Sequence, residues 1–284
     1  MTTDPRRVAG GIARAVAFLV LLFLIEAVLV FVFAAPIAWV IATTGNRQAV
    51  DGVLLVVAAL GATTIMLRSI DVRSWCDVGL ARESARPRVI VEGWCLGGLA
   101  IGVACGALLA LGWLRIEPST PGSSLAAAGR ISIFLLLAAL GEELVCRGYL
   151  LTTFRDGLGV WRAVAITSLL FGVAHLFNDG VTAASFVNVT LAGVFLAAIR
   201  VLFDSLYAAW AAHAAWNWVM AVPLHAPVSG LRLDAPDYRT VSHGPAWLTG
   251  GAWGPEGGIA AALGMLAGLA YLHRTRRRRE EPKQ

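Results

Sequence analysis

The chain has 284 residues, 58% of them hydrophobic and only 14% charged, with a mean hydropathy of +0.72. Soluble domains carry about a quarter charged residues, so a water-soluble fold is excluded. Apolar runs of roughly 20 residues, long enough to cross a hydrocarbon core, recur from end to end. The net charge of +5 and pI near 9.4 do not point to nucleic acid, because the arginines stand between and beyond the apolar runs, where membrane orientation requires them.

The predicted elements are all helical: a polytopic transmembrane bundle with spans at about 16–42, 50–68, 88–113, 124–150, 161–177, 182–200, 205–222 and 257–272. Arg6, Arg7 and Arg14 precede an apolar run from Ala15 to Ala35. That run exceeds the roughly 7–15 residues of a signal-peptide core, so it reads as an uncleaved first span, with Pro36 kinking its end. The stretch from Pro223 to Glu256, rich in Pro, Gly and Trp, reads as one long external loop. The last span is Gly-rich, and Arg276 to Arg279 follow it as an anchor for anionic lipid. The chain divides into N-terminal helices with a cytoplasmic loop (1–123), a core (124–222), and the external loop, last helix and basic tail (223–284). The cysteines Cys76, Cys95, Cys105 and Cys146 show neither a CxxC pair nor metal-finger spacing and read as structural. No internal repeat is visible.

Orientation follows from the cations. With the N-terminus inside, eighteen of the 23 Lys and Arg positions fall on the cytoplasmic side. The outer side keeps Arg47, Arg115, Arg130, Arg232 and Arg239. The expected protein is a multi-pass plasma-membrane protein with both termini cytoplasmic and membrane lipid as its surroundings.

Titratable groups inside a membrane are costly and mark function by default. They concentrate in three spans. The fourth reads LLLAALGEELVCRGYLL, with Glu142, Glu143 and Arg147; the fifth reads SLLFGVAHLF, with Phe171 and His175; the seventh reads YAAWAAHAAWNWVM, with His213 and Asn217. Glu143 and Arg147 are spaced i,i+4 with the acid first, the favourable order for an ion pair. Glu142 points about 100° away and is free to face the bundle interior. Phe171 shares a helix face with His175, where its ring shields the imidazole from lipid, and His213 shares one with Asn217. At about 1.5 Å per residue, Glu142 lies roughly 18 Å from Arg130, His175 roughly 20 Å from Arg162 and His213 roughly 13 Å from Asp204. All three therefore sit at compatible depths. A carboxylate with a histidine can take a proton from water and return it to a leaving amine. A second histidine with an amide can donate to a tetrahedral oxyanion. No serine or cysteine has a matching base, so peptide hydrolysis by activated water is the natural reaction class. The other reading is a non-catalytic scaffold or a proton-coupled transporter that uses the same buried cluster. No inverted repeat of broken helices supports transport.

Glu142-Glu143-x-x-x-Arg147, Phe171-x-x-x-His175 and His213-x-x-x-Asn217, in that order, resemble the motifs EExxxR, FxxxH and HxxxN of the CAAX protease and bacteriocin-processing (CPBP, or Abi) family of intramembrane proteases. Gly148 and Gly172 beside the motifs fit it too, and the resemblance covers about 130–220. It implies that Glu142 is the general base, assisted by His175, that His213 and Asn217 stabilise the oxyanion, and that Glu143 and Arg147 support the site. It implies a peptide or membrane-protein substrate; prenylated CAAX substrates belong to eukaryotic members, and bacterial relatives are implicated in peptide or bacteriocin processing. Members are commonly labelled metalloproteases, yet no HExxH zinc signature is present. Glu142, His175 and His213 could form a three-ligand zinc site with an open position; metal-free activation of water is the preferred expectation.

The orientation has a direct test. Topology reporters fused after Gln48 and after Pro227 should report the external side and one at Gln284 the internal side. A cytoplasmic signal from the Pro227 fusion would overturn the assignment.

Overall fold

The computed structural model describes residues 5–44, 47–233 and 235–280; Lys283, counted with the basic tail, lies outside them. The chain is a helical bundle. Helix α1 (Pro5–Val32) is interrupted at Phe33 and resumes as α2 (Ala34–Thr44). Pro36 has no N–H to give the carbonyl four residues back, that of Val32, and its ring crowds that carbonyl. The break falls there. Helix α3 (Arg47–Ile65) ends in a π-helical turn (Met66–Asp71), and α4 (Pro87–Ala110) starts on a proline, the residue whose missing N–H costs nothing at a first turn. After strand β1 (Leu114–Pro118) comes α5 (Ser124–Glu143), capped by Ser123, whose hydroxyl accepts from the Ala126 N–H. It passes through a π-helical turn (Leu144–Leu150) into α6 (Leu151–Leu158). Then follow α7 (Val160–Ala174), α8 (Ala183–Phe203) with its Thr182–Ser185 capping box, and α9 (Leu206–Ala221) capped by Ser205. Strand β2 (Tyr238–Ser242), a one-turn α10 (Ala246–Thr249) and α11 (Ile259–Glu280) complete the chain.

Among the described residues five helical stretches are long and apolar enough to cross a bilayer: Pro5–Val32, Arg47–Asp71, Pro87–Ala110, Ser124–Leu158 and Ala183–Phe203. The eight expected spans all fall on helices, but α7 and α9 have 15 and 16 residues. At about 1.5 Å per residue each covers only roughly 22–24 Å. Helix α9 is apolar on all sides and buried along most of its length, which is the signature of an enclosed helix rather than a lipid-facing one.

The two ends of the bundle are chemically distinct. At one end Asp71 accepts from Arg14 (2.9 Å) and from the Tyr149 hydroxyl (2.7 Å), tying α1 to the two π-helical turns. At the other end β1 and β2 pair antiparallel, Leu114 opposite Ser242 and Pro118 opposite Tyr238. This sheet joins the connection after α4 to the one after α9, which the alternation of spans places on the same side.

The long helix Ser124–Leu158 serves two hydrophobic cores in turn. Its first half, with Ala127, Ile131 and Phe134, packs with Ile101, Phe195 and Met220. Its second half, with Leu144, Tyr149 and Leu151, packs with Phe18 and Met66. Glu142 and Glu143 stand at the changeover, where neither core claims the side chain.

Helix α9 owes its central position to two glycines of α4. A Cβ at Gly93 would stand 2.3 Å from the Ala208 carbonyl oxygen, and one at Gly97 would stand 1.9 Å from that of Ala212. Small residues four apart let backbones approach this closely, a device of membrane helix pairs. Ala212 adjoins His213, so the contact sets the depth and rotation of that histidine. Gly97→Ala should therefore destabilise the protein by about 1–3 kcal/mol, the cost of overpacking, and depress activity. Gly106→Ala is the control: nothing lies within 4 Å of a Cβ there, so helix propensity alone should leave it neutral or up to about 1 kcal/mol more stable. Thermal unfolding in detergent separates the two, and equal midpoints would refute the close-packing argument.

Candidate active site

The site forms where the long helix changes from α to π winding. Wide π turns inside α-helices occur frequently at functional sites, and this one begins directly after the paired glutamates. Glu143 and Arg147 are both fully buried, with Nη1 of Arg147 donating to Oε1 of Glu143 at 2.8 Å. The guanidinium has two further partners. Its Nη2 donates to the Gly193 carbonyl of α8 at 3.3 Å, and its central carbon lies 4.2 Å from the centroid of the Phe171 ring. A planar, delocalised cation suits all three at once. Phe171 also meets His175 at 4.7 Å and His213 edge-on at 5.8 Å, ring centre to ring centre. The ring that was expected to shield one imidazole thus backs both, and the arginine as well.

The hydrogen bonds fix the histidine tautomers. His175 caps the C-terminus of α7, and its Nδ1 lies 2.8 Å from the Phe171 carbonyl. A carbonyl only accepts, so Nδ1 carries the proton and Nε2 of the neutral ring is a lone pair. His213 places Nδ1 at 2.9 Å from Oε1 of Glu143, the carboxylate oxygen already paired with Arg147. By the same logic Nδ1 donates, and Nε2 is free. Both free nitrogens point at one atom: Oε2 of Glu142 lies 3.9 Å from Nε2 of His175 and 3.9 Å from Nε2 of His213. That oxygen is buried and makes no hydrogen bond among the described residues. Three acceptors converge at separations too long for a direct bond and suited to one atom held between them.

Two small cavities meet at this cluster, of about 30 and 80 Å³. His175, His213, Asn217 and Ser229 line both; Glu142 lines the larger one. A cavity of 10–15 Å³ or more holds a water, so there is room for water beside the cluster. The structure therefore brings together every residue singled out in the three spans. It differs in one assignment: His213, grouped with Asn217 as an oxyanion donor, has given its Nδ1–H to Glu143. It can donate from Nε2 only as an imidazolium.

The sequence reading missed the contribution of the long loop. Ser229 lines both cavities and Glu256 lines the smaller one. Ser229-Gly230 is a recognisable turn dipeptide, but nothing in its composition shows that the turn faces inward. His225 and His243 belong to the terminal sheet: His225 stacks on Tyr238 and His243 bonds Glu117.

The donor set also bears on metal. Glu142, His175 and His213 are ligand types that zinc takes, and both imidazoles present lone pairs. Yet a tetrahedral zinc with bonds of about 2.0–2.2 Å would bring its ligand atoms to roughly 3.4 Å from one another, closer than the 3.9 Å seen. Among the described residues no group of three or more His, Cys, Asp or Glu stands in a metal-holding arrangement. The set fits a metal in chemistry and would have to contract to hold one.

Arg147 is the structural member of the cluster. Arg147→Ala would leave Glu143 charged, buried and without its cation, so it should cost about 3–5 kcal/mol and lower the yield of folded protein. Arg147→Lys should recover only part, since a point charge cannot serve the carboxylate, the Gly193 carbonyl and the aromatic ring together. A wild-type unfolding midpoint for Arg147→Ala would refute this.

Residues 124–219 match a family described as Rce1-like, type II CAAX prenyl endopeptidase Rce1-like. No curated protein and no solved structure matches the chain. The matched segment contains Glu142, Glu143, Arg147, Phe171, His175, His213 and Asn217, the residues on which the resemblance rested. Residues 124–219 of this membrane protein are thus similar to the CAAX endopeptidase family over about a third of the chain.

Proposed function

We propose that the protein is an intramembrane endopeptidase that hydrolyses peptide bonds of membrane-associated or peptide substrates with water activated at Glu142. The observation that carries this reading is the convergence of two imidazole Nε2 lone pairs on the unbonded Oε2 of Glu142, each at 3.9 Å. A water between them donates one hydrogen to the carboxylate and one to an imidazole, and turns its own lone pair toward the cavity. Glu142 takes its proton as the water oxygen attacks the substrate carbonyl carbon. The carbonyl π bond opens and the charge moves to oxygen. The Asn217 amide donates to that oxyanion, and His213 joins it from Nε2 when it holds a proton. Collapse re-forms the carbonyl, breaks the carbon–nitrogen bond and returns the proton from Glu142 to the leaving amine. Glu143 keeps His213 in one tautomer, and Arg147 keeps Glu143 in place. If a zinc ion is resident, Glu142, His175 and His213 hold it, and it supplies Lewis-acid polarisation of the water. Both termini lie in the cytoplasm on this reading, in the plasma membrane.

Purified protein assayed on a peptide library, against Glu142→Gln, tests the assignment. The isosteric amide removes the base, and turnover should fall by about 100-fold or more with the unfolding midpoint unchanged. Metal analysis of the same active preparation should find well under one equivalent, and a strong chelator should leave the rate unaltered. Full turnover by Glu142→Gln would retire the base. One equivalent of zinc together with loss of activity on chelation would retire the metal-free route. Folded wild-type protein that cleaves nothing would favour a scaffold.

A further inference from the structure

The segment that leaves α9 turns back into the bundle. Val228 and Leu231 exchange two backbone hydrogen bonds, at 2.9 and 2.8 Å, around Ser229 and Gly230. Both central residues have positive φ, 49° and 81°, the geometry of a two-residue hairpin turn of the I′ type. A serine in that conformation is uncommon and needs support from its surroundings. It has it. The Ser229 carbonyl accepts from Nδ2 of Asn178 at 2.8 Å, and the Gly230 N–H donates to the Trp253 carbonyl at 2.9 Å. The Ser229 N–H and hydroxyl both donate to Oε1 of Glu256, the hydroxyl at 2.8 Å.

Glu256 is itself buried, 8% exposed, and takes no part in the reaction as described. Its second oxygen accepts from Nε1 of Trp216 at 2.8 Å, and its backbone carbonyl accepts from Nδ2 of Asn188 at 3.0 Å. Trp216 is the residue before Asn217. One carboxylate thus ties three things together: the hairpin tip, the helix that carries His213 and Asn217, and, through its own peptide, α8. Of the four residues that line both catalytic cavities, Ser229 is the one that comes from the long loop; His175 caps α7, and His213 and Asn217 stand on α9.

Resting on the protease reading above, we infer that Glu256 is a positioning residue that holds the Val228–Leu231 hairpin as a wall of the catalytic cavity. That wall restricts the substrate to small side chains next to the scissile bond. The space supports this. On the two sides of the cluster only about 30 and 80 Å³ are open, with Phe171, Phe195 and Trp216 closing the first and Phe134, Val228 and Leu231 closing the second. Of these walls the hairpin is the one without helical backbone bonding, and its anchor is a set of side-chain hydrogen bonds rather than packed helix. Loss of the anchor should enlarge the cavity at the hairpin side.

The test uses the full chain in lipid nanodiscs and two independent measurements. The first compares peptides carrying alanine or phenylalanine on both sides of the scissile bond. Wild type should prefer the alanine peptide by at least about tenfold, and Glu256→Gln and Glu256→Ala should reduce that ratio by about tenfold. The second needs no turnover. In a Val228→Cys protein the thiol replaces a side chain that is 5% exposed, and its reaction with a membrane-impermeant maleimide is followed residue by residue by mass spectrometry. Adding Glu256→Gln should speed labelling at 228 by about tenfold. The buried Cys105 and Cys146 should stay protected and the exposed Cys76, in the connection before α4, should react as before, which general loosening would not allow. Where Glu256→Ala fails to fold, Glu256→Gln and Ser229→Ala carry the measurement. An unchanged labelling rate at 228 in the folded variants overturns the inference, as does an unchanged peptide ratio in a protein that cleaves. Faster labelling in a protein that cleaves neither peptide upholds the wall and counts against the protease reading.

Discussion

Glu143 and Arg147 form an ion pair from which solvent is wholly excluded, and the site is organised around it. A buried pair of this kind is not in itself a source of stability, since desolvation offsets much of the attraction. What it provides here is direction. The carboxylate has one oxygen on the guanidinium and on His213, and the guanidinium reaches across to α8 and lies over Phe171. Three helices are thereby fixed to one charge pair. The tautomer of His213 follows from it, and with that tautomer the direction in which the free nitrogen points. A hydrogen-bonded partner behind an imidazole commonly decides what its other nitrogen can do.

The adjacent glutamates show how one helix can give two identical side chains different surroundings. One residue of helical advance turns Glu142 away from the arginine and toward the cavities, where its Oε2 makes no hydrogen bond among the described residues. The change to π winding begins at the next residue. Helical period alone accounts for the divergence of the pair. It does not account for the wider turn, Leu144–Leu150, within which Arg147 bonds both Glu143 and the Gly193 carbonyl.

Much of this was legible in the sequence because it was encoded locally. Apolar runs define helices, i,i+4 spacing defines a shared face, and the ion pair between Glu143 and Arg147 follows from both. The meeting of Glu142 with His175 and His213 was legible only through depth arithmetic along the three helices, which did not show that His175 stands at the C-terminal cap of α7. The rest depends on contacts between segments far apart in the chain. His213 pairs with Glu143 across 70 positions and Ser229 with Glu256 across 27. No period or spacing announces either. The unequal helix lengths were hidden for another reason: composition marks α9 as apolar, but whether lipid or protein surrounds an apolar helix is decided by its neighbours.

The inward hairpin follows from the same physics that builds the helices. In hydrocarbon every backbone donor and acceptor needs a partner, and irregular chain is tolerated only where protein or a water-filled cavity surrounds it. A turn placed among the clustered Glu, His and Asn side chains must therefore have its N–H and C=O groups satisfied by other parts of the protein. Asn178, Trp253 and Glu256 do this for Ser229 and Gly230. A helix in that position would satisfy its own backbone groups. A turn held by side chains supplies a wall that is rigid while its partners are in place and separable from them without unwinding a helix. Of the two ways to close a cavity inside a membrane, only the second leaves its dimensions adjustable by single residues outside the reacting groups.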